Sequence, residues 1–128
     1  MDYIKIIDSL RELARDSLRL SLVSGLKADR FSFEKESSIL AKELAVLNYE
    51  LANLDTEHPN YDKQRDKKEN VIVYYSDSIT SNAKTLKGID DKIADVVSGK
   101  TKVSKDDLAC ETDKLITAYV REKARDLE

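Results

Sequence analysis

Residues 31–54 read FSFEKESSILAKELAVLNYELANL, and the spacing of their apolar side chains decides the fold. Phe33, Ser37, Leu40, Leu44, Leu47, Leu51 and Leu54 recur at alternating steps of four and three, with Ser37 the one polar member. That spacing keeps one stripe of an α-helix turned toward a neighbouring helix, whereas a strand would alternate at every second residue. Ser32 offers an N-cap, and Glu34 and Glu36 then fall in the first turn, beside the partial positive charge of a helix start. Pro59 has no amide proton and biases His58 away from helical angles, so the pattern predicts a helix over 33–55 that stops before it.

Toward the N-terminus, Tyr3, Ile6, Ile7, Leu10, Leu13, Ala14 and Leu18 share one broad helical face, and Arg11, Arg15 and Arg19 mark another. Leu22, Val23 and Leu26 drift off that face. Gly25 suits the left-handed residue that closes a helix, so the first helix is expected over 2–24.

Downstream, YDKQRDKKEN at 61–70 has Tyr61 as its one apolar residue and reads either as a helical overhang or as a connection. VIVYY at 71–75 has the composition of a strand, but nothing elsewhere could pair with it. It reads as helix, continued by Ile79, Ala83, Leu86, Ile89, Ile93, Val96 and Val97. The apolar phase survives Gly88, which favours one helix to about 98 over a break with Asp90 as a new cap. Gly99 closes that helix. Ser104 with Asp107 three residues later forms a capping box for a last helix, whose inner face is Leu108, Thr112, Leu115, Ile116, Tyr119, Val120, Ala124 and Leu127.

Of 128 residues, 41% are hydrophobic and 37% charged, with three Gly and one Pro to turn on. Few breakers and helical periodicity imply long helices and few loops. The expected architecture is all-α: an antiparallel helical bundle of about four long, coiled-coil-like helices, in a single domain over 1–128.

Chemistry is sparse. Gly99-Lys100-Thr101 resembles the tail of a phosphate-binding loop, but the glycine needed five residues earlier is Ala94, and the motif leaves a helix where it should leave a strand. His58 is the single histidine, without a partner to orient it, and Cys110 is the single cysteine, without a disulfide mate. Acids at helical spacing, Glu43 with Glu50, Asp66 with Glu69 and Asp91 with Asp95, read first as solvated faces. A magnesium-dependent, all-α nucleotide hydrolase built on Asp66 and Glu69 is the enzymatic alternative. No catalytic, cofactor-binding or metal-ligating residue is assigned, and the chain reads as non-enzymatic.

Apolar residues off the core phase speak for a partner protein. If Ile72, Tyr75 and Ile79 face inward, Val73 points nearly opposite and Tyr74 lies on a flank; Leu22 and Val23 depart from their stripe in the same way. These four are the expected contact residues of a protein-binding module, an adaptor, chaperone or inhibitor that associates with itself. The seam Leu40, Leu44, Leu47, Leu51 and Leu54 serves either inside the chain or between copies.

Net charge is −3, yet 84–105 carries six lysines against Asp90, Asp91 and Asp95. Lys100, Lys102 and Lys105 are placed to steer an acidic partner, or, in a nucleic-acid-associated regulator, to contact phosphates. A lone cysteine and the lack of a long apolar run make the cytoplasm the expected compartment, with no membrane partner.

Overall fold

The computed structural model describes residues 2–127. Among them it has three α-helices and no strand: α1 Tyr3–Ala52, α2 Tyr61–Val97 and α3 Lys105–Asp126. The class is all-α, as expected, but the helix count is not four. The helices expected over 2–24 and 33–55 are one element, α1, of 50 residues, about 75 Å long at 1.5 Å per residue.

The merger has a physical reason. Arg19, Val23, Leu26, Arg30 and Phe33 are all half-buried, and their steps of four and three run straight into the seam at Ser37 and Leu40. Two members of the row are arginines, which is why the apolar stripe is lost when hydrophobicity alone is followed. Arg30 satisfies its charge across the helices by donating from Nε to Oδ1 of Asp90 at 2.7 Å, and it also pairs with Glu34 one turn along. Gly25 therefore stays inside the helix, and the glycine with positive φ is Gly99, at 79°. Ser32, expected as a cap, is an exposed interior residue of α1.

The same logic makes 61–70 helical. Tyr61, Arg65, Lys68, Ile72, Tyr75, Ile79, Asn82, Leu86, Ile89, Ile93 and Val96 are half-buried or buried along α2, at unbroken steps of four and three. Arg65 lies over the Tyr61 ring at 5.6 Å, and Lys68 Nζ donates to Glu50 Oε2 at 2.7 Å. Charged side chains thus hold seam places that carry no apolar signal. The helix continues through Gly88, and VIVYY is helical, both as expected.

The chain divides into two compact units, Lys27–Asp91 and a second formed by Met1–Leu26 with Lys92–Glu128. In the first, the α1 partner moves back from Glu50 to Glu43 to Arg30 as the α2 partner advances from Lys68 to Tyr75 to Asp90. The connection between α1 and α2 is tied by Asp55 Oδ1, which accepts from the Glu57 amide at 3.0 Å, and by His58 Nδ1, which accepts from the Asn60 amide at 3.0 Å.

In the second unit Ala14 is fully buried, with Val96 and Thr112 at 3% and 5% exposure. Thr112 satisfies its hydroxyl by donating to the Leu108 carbonyl at 2.6 Å. Gly99 ends α2 in the left-handed region, and the Thr101 amide donates back to the Asp95 carbonyl at 3.0 Å. Ser104 caps α3 by accepting from the Asp107 amide at 3.4 Å. Both turn assignments match the sequence.

Candidate interaction surface

The hydrophobic side chains that are buried among the described residues are Ala14, Ile89 and Val96, and no large side chain is buried completely. The accessible surface is 9873 Å². Large hydrophobic side chains are exposed on all three helices, among them Leu20, Tyr74 and Val120.

Leu22, Val73 and Tyr74 are exposed at 45%, 57% and 67%. Tyr74 stacks at a tilt on Tyr75, with ring centroids 5.9 Å apart. Val23 differs from expectation. It is half-buried, because it belongs to the row through Arg19 and Leu26, and so it turns away from Leu22.

Leu40, Leu44, Leu47, Leu51 and Leu54 are half-buried along α1 and just past its end. Leu47 and Leu54 line a groove with Val71, Gln64, Lys67 and Lys68 of α2, so these two members of the seam stand beside a helix of the same chain. The Tyr75 hydroxyl sits against Glu43, whose hydrogen bond and charge hold its pKa above the usual tyrosine value. Asn82 is 9% exposed and its Nδ2 has no partner; the Ser37 hydroxyl is also buried without one.

Within 31–49 of α1, sequence reasoning missed four exposed residues: Phe31, Ile39, Val46 and Tyr49, at 66%, 48%, 54% and 70%. The signal lay in the very stretch that decided the fold, between the members of the leucine seam. Once one apolar stripe is found, the rest of the helix is readily assigned to solvent.

Lys100, Lys102 and Lys105 are exposed around the α2–α3 turn. Lys105 and Arg11 border a shallow groove with Ile7, Leu108, Thr112 and Ile116, and Asp113 lies on the same groove. Asp106 and Asp107 occupy the first turn of α3, so acids are interspersed with these cations. Arg19 reaches the same turn, with Nη2 3.5 Å from where a Cβ on Gly99 would stand.

The remaining chemical candidates stay apart. Asp66 meets Arg65 at 3.4 Å; Glu69 and Asp91 are exposed and Asp95 half-buried. Cys110 is exposed, and His58 serves its own turn. Among the described residues no three of His, Cys, Asp and Glu come together as a metal site would need, and no helix is long and apolar enough to cross a membrane.

No protein-family model, no curated protein sequence and no solved structure matches this chain.

Proposed function

We propose that the chain is a non-enzymatic protein-binding module, of the adaptor, chaperone or inhibitor kind, that acts by occlusion or scaffolding and associates with itself. Its helices form an antiparallel, coiled-coil-like bundle in which the leucine seam serves inside the chain and the outward apolar residues serve partners. One observation carries this reading: Leu22, Val73 and Tyr74 stand exposed on their helices, where a helix packed on one side ordinarily presents charged and polar residues. An exposed aromatic residue such as Tyr74 supplies the kind of surface that interfaces favour at their centres, and Val73 beside it adds apolar area. Lys100, Lys102 and Lys105 would raise the rate of encounter with an acidic partner.

The test is a double change, Val73→Asp with Tyr74→Ala. Tagged wild-type protein is expected to retain a stoichiometric protein partner from its source cells, or to self-associate in sedimentation. The double variant is expected to lose that association while its helical circular dichroism is unchanged. Association that survives the double change rejects this surface, and a wild-type chain that associates with nothing rejects the function.

A further inference from the structure

A second regular row runs along α1 in the unit Lys27–Asp91. Its members are Phe31, Lys35, Ser38, Lys42, Ala45 and Tyr49, at steps of four and three, and every one is exposed. At 100° per residue the row stands nearly opposite the leucine seam. Ile39 and Val46 flank it, exposed at 48% and 54%. The row contains no Asp or Glu; Glu34, Glu36, Glu43 and Glu50 stand between the two rows. A helix packed on one side normally presents charge on the other. Here the outer side presents an aromatic ring at each end, with small residues and two lysines between.

The order of residues along the row identifies what fits it. Turned end for end about a point midway between Ser38 and Lys42, the row maps onto itself. Phe31 falls opposite Tyr49, Lys35 opposite Ala45, and Ser38 opposite Lys42. Aromatic meets aromatic, and each lysine meets a small residue over which its methylene stem can lie while the ammonium reaches the flanking glutamates. A parallel pairing would set Lys35 on Lys35 and Lys42 on Lys42, which is repulsive.

We propose that a second copy of this chain docks on this face, α1 against α1 in antiparallel order around a two-fold axis beside residue 40. The proposal rests on the reading of the chain as a self-associating module and names the face and the register. A two-fold interface repeats each contact, so one favourable pairing counts twice. Phe31, Ile39, Val46 and Tyr49 are all exposed on this side of α1 and stand free for such a contact.

Sedimentation equilibrium on four proteins tests this: wild type, Phe31→Lys, Tyr49→Glu, and the two changes combined, each checked for helical circular dichroism. Wild type is expected to be a dimer, and either single change to weaken it by about 100-fold, because under the two-fold axis it breaks the aromatic contact at both ends of the interface and each loss is worth about tenfold. The combined variant is expected to regain the dimer to within about tenfold, because the new ammonium faces the new carboxylate in both halves. A combined variant weaker than either single one overturns the antiparallel register. A wild-type dimer that neither single change affects overturns this face while leaving the binding-module reading intact. A monomeric wild type that still takes up a protein through Val73 and Tyr74 overturns only self-docking; one that binds nothing overturns both.

Discussion

Arg30 of α1 donates from Nε to Oδ1 of Asp90, 60 residues further along the chain on α2, at 2.7 Å. The arginine stands in the row where Leu26 and Phe33 precede and follow it, so an ion pair fills a place that an apolar residue would otherwise take. Asp90 holds the guanidinium yet more firmly protonated than usual, by hydrogen bond first and charge second. Both side chains are near half exposed, at 40% and 52%, so solvent and salt screen the attraction.

The pair should therefore bring register more than stability. Arg30→Ala is expected to lower the urea midpoint slightly, with the difference vanishing at high salt. Arg30→Leu is expected to raise it, since an apolar residue extends the stripe. A lower midpoint for Arg30→Leu would show the ion pair to be the stronger device.

The glycines should respond with opposite signs. Gly25 lies inside α1 with open space where a Cβ would project, so Gly25→Ala should stabilise by about 0.5–1 kcal/mol. Gly99 has φ of 79°, and Gly99→Ala should cost about 1–2 kcal/mol, the penalty of a left-handed residue with a Cβ. Denaturant titrations of the two variants decide it: loss of stability at position 25 would mean that α1 ends there after all.

Asn82 is 9% exposed with Nδ2 unpaired, in the row between Ile79 and Leu86. A buried, unsatisfied donor is a cost, so Asn82→Leu is expected to stabilise by about 1–2 kcal/mol and raise the melting temperature. Polar residues at such places hold neighbouring helices in one register. The variant should accordingly show broader amide resonances along α2; sharp spectra with lower stability would contradict both expectations.

Tyr75 links stability to alkaline pH. Glu43 raises the pKa of its hydroxyl in the folded chain above the ordinary tyrosine value, by hydrogen bond first and charge second, so the proton is held more tightly there than in the unfolded chain. The contribution is whole below the unfolded value and is lost as pH rises through the folded one. Wild type should thus lose more stability than Tyr75→Phe above about pH 10. Equal slopes in that range would remove Glu43 as the cause.

Several features were set by local sequence alone. Ser104 caps α3 and Gly99 ends α2 because each needs one side chain, or the lack of one, at one place. Helical periodicity likewise made VIVYY helical against its β composition, and carried α2 through Gly88. Tertiary structure decided the rest. Whether Gly25 ends a helix depends on what lies on either side of it, and the continuity of α1 rests on Arg19 and Arg30 holding seam places as charged residues. Arg30 finds its partner on another helix, and Lys68 finds Glu50 in the same way, so neither could be read from hydrophobicity. The outward row from Phe31 to Tyr49 was written beside the leucine seam throughout. It became visible only when α2 covered one side of α1 and left the other open, because exposure belongs to the packed chain and periodicity does not measure it.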